Sequence, residues 1–161
     1  CAKGITNATI PMGATIVQDF IYESMMENAD APIELFHGYT YSGHPVACAA
    51  ALATLDIYQE EGLFDNAANM APVIEKAAHN LKGTKHIIDI RNLGVIAALE
   101  LEPKSGAVGA RGFEAMKKAW DLGLMVRANG DTLAFSPPLI INESQIDEMF
   151  TKIKKALEQV D

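Results

Sequence analysis

A change in hydrophobic periodicity near His86 constrains the fold more than any other feature of the sequence. Before it, Ala, Leu and Ile recur at helical spacing through residues 45–82, with Pro45 at the first helical position and a glycine after each helix. After it, short apolar and β-branched runs at residues 87–91 and 95–101 flank a tight turn. We therefore predict two consecutive helices followed by an antiparallel sheet.

The sequence after residue 101 predicts two more strands for this sheet and two helices that cover it. The predicted elements are a helix at residues 112–121, strands at 125–127 and 133–135 around the Asn129-Gly130-Asp131 turn, and a final amphipathic helix to residue 160 capped by Asn142 or Ser144. Residues 83–161 are thus expected to form a small α+β domain, in which helices cover one face of a short antiparallel sheet.

Residues 1–44 cannot close a hydrophobic core by themselves. They contain one predicted buried strand at residues 11–17, one helix at residues 19–28 and then a loop. The chain also opens without an initiator methionine, and we expect it to be a fragment. The predicted organisation is a remnant of a larger domain at 1–44, connecting helices at 45–82 and the small domain at 83–161.

Composition argues against several classes of function. The formal net charge of −8 and the pI near 4.9 oppose binding to nucleic acid, whose phosphates repel such a surface. No apolar run approaches the roughly 20 residues of a membrane helix, so no membrane partner is expected. Cys1 and Cys48 are the only cysteines and lack the spacing of metal ligands. We expect reduced thiols, no metal site and a cytoplasmic location.

Lys3 is the first candidate for chemistry. A lysine near a terminus is most often solvated, but a lysine with a lowered pKa can attack an aldehyde and form a Schiff base. Gly4 follows it directly, and the small-residue run Pro11-Met12-Gly13-Ala14 begins seven residues after Gly4.

The most informative segment is HGYTYSGHP at residues 37–45. A turn before the helix at Pro45 explains Ser42 and Gly43, but it leaves the run of aromatic and hydroxyl residues unexplained. Thr40 and Tyr39 lie in this run.

Arg127 is the third candidate. It could be solvated or paired with Asp131, and a planar guanidinium is also suited to bidentate capture of a carboxylate.

Together these segments resemble the class III or ω-aminotransferases, and lean towards the β-alanine:pyruvate branch. The resemblance runs from Ala2 to the final helix and includes residues 125–131 (MVRANGD). It implies an α/β fold, the fold type I of transferases dependent on pyridoxal 5'-phosphate (PLP). The chain would hold the end of the large domain and the small α+β domain of that fold.

The resemblance also implies roles for the candidate residues. Lys3 would be the catalytic residue that binds PLP, while Thr40 and the backbone of Tyr39 would contact the phosphate of the cofactor held by another subunit. Arg127 would bind the carboxylate of the substrate. The implied assembly is a homodimer, or a dimer of dimers, with shared active sites.

The implied reaction moves an amino group from an ω-amino acid or amine to a keto acid such as pyruvate. We expect the 161 residues alone to be inactive, because in this family the aspartate that pairs with the pyridine nitrogen lies upstream of the cofactor lysine. Other interpretations remain open: a 4-aminobutyrate, ornithine or diamine aminotransferase, an aminomutase, or a non-catalytic interaction domain derived from such an enzyme.

Overall fold

The structure is a computed structural model that describes residues 1–27, 29 and 40–161. It divides into two compact units, Cys1–Glu61 and Gly62–Asp161. The two predicted connecting helices therefore belong to different units. The predicted domain borders at residues 44 and 82 refer to a longer fold and stay a prediction.

The described part of the first unit contains two helices, α1 at Asp19–Glu27 and α2 at Pro45–Glu60. Both were predicted from the sequence. Helix α2 begins as expected, with Pro45 in the first turn. The side chain of His44 caps it by accepting a hydrogen bond from the backbone amide of Ala47.

The buried strand predicted at residues 11–17 is wrong. That segment forms one isolated bridge, between Ala2 and Gly13, and the side chain of Ile16 is 83% exposed. A β-branched run becomes a strand only where a neighbouring strand satisfies its backbone groups. The described part of this unit offers no such ladder.

The second unit is the predicted α+β domain. Its elements are α3 at Leu63–His79, β1 at Ile87–Leu93, β2 at Ile96–Leu101, α4 at Ala110–Asp121, β3 at Arg127–Asn129, β4 at Thr132–Phe135 and α5 at Glu143–Leu157. The four strands form one antiparallel sheet in the order β1-β2-β4-β3.

The core of this unit lies between the sheet and its helices. Alternate residues of β2 point into it, and Leu99 and Leu101 are fully buried with Leu133 of the neighbouring strand β4. The ring centroids of Phe135 and Phe150 lie 5.3 Å apart, and this contact packs β4 against α5. Further fully buried members come from α3 and α5: Ile74, Ile146, Ile153 and Leu157.

Strand β3 begins two residues later than predicted, at Arg127 instead of Met125. Asn129 pairs with Thr132, so the hairpin turn consists of Gly130 and Asp131. Gly130 has a φ of 60° and Asp131 has no positive φ, which is the pattern of a type II′ turn.

Of the two predicted caps for α5, Asn142 is the N-cap and forms a capping box with Gln145.

Candidate active site

Lys3 lies at the start of a compact turn in a segment that we call the lysine loop, residues 1–14. The backbone groups of Cys1 and Ala14 exchange two hydrogen bonds, of 2.6 and 2.9 Å, and close the loop at its base. The carbonyl oxygen of Lys3 accepts hydrogen bonds from the amides of Thr6 and Ala8. The side chain of Lys3 is exposed, and its ammonium has no hydrogen-bond or ion-pair partner among the described residues.

The lysine loop holds its backbone in an unfavourable conformation. Lys3, Asn7 and Ala8 all have φ values near 50–60°, a backbone region that residues other than glycine rarely adopt. Such strain persists only where surrounding contacts hold it, and it is common at functional sites. Here Thr6 is a buried residue, 1% exposed, and its hydroxyl donates a hydrogen bond of 2.7 Å to the carbonyl oxygen of Ile10.

Helix α2 also holds the loop. The hydroxyl group of Tyr58 donates a hydrogen bond of 2.8 Å to the carbonyl oxygen of Gly4, the residue that follows Lys3. This contact was not predicted from the sequence, because a tyrosine 54 residues away in a helix carries no local signal of its partner.

Thr40 lies close to part of the lysine loop. It borders an open cavity of about 720 Å³ whose other walls come from residues 10–13, from residues 41–44 and from the first turn of α2. The structure thus brings the Thr40 segment together with the loop that carries Lys3. Tyr39 and His37 lie outside the described residues.

The donor groups around this cavity fit a phosphate. Thr40 and Ser42 supply hydroxyls, and the amino end of α2 adds the partial positive charge of a helix of 16 residues. The exposed amine of Lys3 fits an aldehyde. The residues of this unit are therefore chemically compatible with PLP.

Arg127 belongs to the second unit. It is exposed on β3 and makes no ion pair within residues 1–27, 29 and 40–161. The possible pair with Asp131 does not form, since both carboxylate oxygens of Asp131 accept hydrogen bonds from backbone amides. The guanidinium is left accessible to an anion.

Arg91 has a structural environment. Its guanidinium lies 2.5 Å from carboxylate oxygens of both Asp89 and Glu100. The hydrogen bond to Glu100 and, to a smaller extent, the hydrogen bond to Asp89 raise the pKa of Arg91.

A second ion pair joins Lys104 to Glu114 of α4 over 2.6 Å, and this hydrogen bond lowers the pKa of Glu114.

Comparison with known proteins identifies the class. The family model for aminotransferase class III matches residues 1–157. The chain belongs to the class III aminotransferase family. Within the described residues, no helix is long and apolar enough to cross a membrane.

Two curated relatives with similar sequences are aminotransferases by name. The chain is 51% identical over 160 residues to an omega-aminotransferase of Caulobacter vibrioides, covering 99% of this chain and 36% of the relative. It is 44% identical over 158 residues to a beta-alanine–pyruvate aminotransferase of Pseudomonas aeruginosa, with coverages of 97% and 35%. The chain thus spans about a third of the length of these curated relatives.

A solved structure confirms the fold. The chain superimposes with a TM-score of 0.88 on an amine transaminase from an uncultivated Pseudomonas species in its PLP-bound form. The two are 32% identical in sequence, and the match covers 99% of this chain and 38% of the other. The second unit is thereby part of the fold of a transaminase, as the α/β assignment predicted.

Proposed function

We propose that the complete protein carrying this sequence catalyses PLP-dependent transamination. The amino group of an ω-amino acid or amine, with β-alanine as the favoured type, would pass to a keto acid such as pyruvate. Support comes from family membership and from a relative whose name specifies β-alanine and pyruvate. The observation that carries the proposal is the unpartnered amine of Lys3, held on a strained turn within the described residues.

Lys3 is the proposed catalytic residue. Bound PLP would supply an aldehyde that condenses with amines and a ring that withdraws electrons from the reacting carbon. The Nζ atom of Lys3 would hold the cofactor covalently until an amino donor displaces it. The freed Nζ would then accept a proton from the donor carbon and return it at the next step, acting as general base and general acid.

Thr40 and Tyr39 are proposed to anchor the phosphate of a cofactor bound to a second subunit. The support is the position of Thr40 at a cavity lined by hydroxyls and the amino end of α2. Hydroxyl and amide donors hold a phosphate by direction and need no large positive field. A homodimer, or a dimer of dimers, follows because each site borrows a loop from its neighbour.

Arg127 is proposed to bind the carboxylate of the keto acid. Its accessible guanidinium can form two parallel hydrogen bonds with a carboxylate and so orient the substrate. An amino donor that lacks a carboxylate does not need this contact.

The test uses the complete natural protein, purified with PLP. Reduction with borohydride should attach the cofactor to Lys3, and peptide mass mapping should locate it there. Lys3→Ala should abolish both the attachment and amino transfer, whereas Lys82→Ala, a change at another exposed lysine, should leave both intact. Attachment to another side chain, or full activity in Lys3→Ala, contradicts the proposal.

A panel of donors and acceptors separates the alternatives. β-Alanine, 4-aminobutyrate, ornithine and a diamine are each paired with pyruvate and with 2-oxoglutarate. Preference for β-alanine with pyruvate supports the proposed branch, and preference for another pair assigns a sister activity. Internal migration of the amino group without an acceptor indicates an aminomutase, and no reaction with bound PLP intact favours an interaction domain.

A further inference from the structure

The carboxylate of Asp131 caps a helix that lies elsewhere in the chain. Its Oδ2 accepts a hydrogen bond of 2.6 Å from the amide of Gly109, and its Oδ1 accepts one of 2.9 Å from the amide of Gly112. These amides belong to the N-cap and the first turn of α4, and Gly109 has no side chain to cap them itself. Asp131 is 8% exposed. A buried carboxylate thus satisfies amides that would otherwise lack partners.

The backbone of the β3–β4 turn also lies directly against α4. A Cβ atom at Gly112 would overlap the carbonyl oxygen of Gly130 and lie 2.9 Å from the Cα atom of Asp131. The amide of Leu101 at the end of β2 donates to the carbonyl oxygen of Asp131 over 2.9 Å. The turn is therefore fixed from two sides.

Arg127 is the first residue of strand β3, which leads into this turn. Strand β3 has only three residues and pairs with β4 alone in the described sheet, with Arg127 opposite Ala134. So short an edge strand has little stability of its own. The turn helps to fix its position, and the carboxylate of Asp131 helps to fix the turn on α4.

We propose that Asp131 is a positioning residue for Arg127: it fixes the β3–β4 hairpin on α4, so that the guanidinium meets the carboxylate of the keto acid. This inference rests on the proposed transamination and on the proposed role of Arg127. Asp131 does not touch the substrate and acts through the hairpin. Its loss therefore changes the use of acceptors that carry a carboxylate more than the use of those that do not.

The experiment compares pyruvate with an aldehyde acceptor that lacks a carboxylate, such as propanal, in the complete natural protein. In Asp131→Ala, kcat/KM for pyruvate should fall by roughly tenfold relative to that for propanal, mainly through KM, because a misplaced binding group weakens orientation. Asp131→Asn keeps the shape of the side chain and one acceptor oxygen, and it should give a smaller shift in the same direction. If Asp131→Ala does not fold, Asp131→Asn decides the question.

A matched control removes a cap without touching the hairpin. Asn142→Ala deletes the N-cap of α5 in the same unit and should leave the ratio of pyruvate to propanal activity unchanged. A shift of equal size in Asn142→Ala, or no shift in either Asp131 variant, overturns the inference.

Arg127→Leu separates the two levels of the proposal. If this change removes the preference for pyruvate while the Asp131 variants keep it, the positioning role is overturned and the role of Arg127 stands. If Arg127→Leu also keeps the preference, the role of Arg127 and the inference both fail, while transamination by Lys3 stands. If the unmodified protein does not transaminate, the proposed function fails and the inference fails with it.

Discussion

Tyr58 donates a hydrogen bond to the carbonyl oxygen of Gly4, and this bond ties the backbone beside Lys3 to the last turns of α2. The lysine loop has no strand ladder around it in the described residues, and three of its residues have unfavourable φ values. A contact from a regular helix is therefore important for keeping the loop in one conformation.

Tyr58→Phe should loosen the lysine loop. Loss of this hydrogen bond should lower the free energy of unfolding by about 1 kcal/mol. In the complete protein it should also reduce the amount of PLP retained on dialysis. Tyr22→Phe, at an exposed tyrosine of α1, serves as the control and should change neither quantity. Equal retention of PLP in both variants would show that the bond does not support the cofactor lysine.

Leu99→Ala should strongly destabilise the second unit. Leu99 is fully buried in β2, and removal of its side chain leaves a cavity that costs about 3 kcal/mol. Leu93→Ala, at a leucine of β1 that is 81% exposed, should cost little. Trp120 is the only tryptophan of the chain and lies in α4, so its fluorescence during urea denaturation reports on this unit. Similar midpoints for the two variants would refute the assignment of the core.

Gly112→Ala should also destabilise the second unit, although alanine is the better helix former. The helical preference for alanine, about 1 kcal/mol, is outweighed by the overlap of the new methyl group with the Gly130 carbonyl, for a net loss of about 2 kcal/mol. Gly13→Ala places its methyl group 3.5 Å from the nearest atom, the carbonyl oxygen of Cys1, and should be tolerated. Thermal denaturation followed by circular dichroism measures both changes, and a stabilised Gly112→Ala variant would contradict the close approach.

The Lys104–Glu114 pair should make a small contribution to stability that depends on pH. Lys104 lowers the pKa of Glu114, so the folded protein favours the ionised carboxylate more than the unfolded chain does. The stabilisation is complete above the ordinary pKa of glutamate, about 4.3, and is lost as the pH falls through the lower pKa of the folded state.

Glu114→Gln should therefore cost about 0.5 kcal/mol at neutral pH and nothing in strong acid. Urea denaturation at several pH values measures this difference. The control Glu75→Gln, at an exposed position of α3 without an ion pair among the described residues, should show no such trend. A cost of Glu114→Gln that grows as the pH falls would contradict the assigned direction.

Local patterns in the sequence predicted helix α2 and most of the second unit. The Pro45 start of α2, a cap of α5 at Asn142 or Ser144 and a strand at residues 95–101 each depend on neighbours within a few residues. All three predictions were confirmed, with Asn142 as the cap. The run at residues 11–17 was misassigned because its apolar, β-branched composition is equally compatible with an irregular segment. Its partners, and not its own residues, determine whether it becomes a strand.

The candidate site was only partly predictable for the same reason. Lys3, Thr40 and Arg127 were recognised because they lie in short motifs, and their roles stay predictions. The contacts that hold their surroundings join residues far apart: Tyr58 with Gly4, and Asp131 with Gly112. The one available signal was the glycine that begins the predicted helix at residues 112–121, since a glycine leaves room for a close backbone approach.

The charged pair of Asp89 and Arg91 on β1 has a consequence for self-assembly. Strands β1 and β3 are the outer strands of the described sheet, and outer strands can act as templates for fibrils. Strand β1 carries this pair, and β3 offers only three residues. The charges on β1 and the shortness of β3 both oppose the addition of a further strand, and Arg127 lies at the margin that is too short to template a fibril.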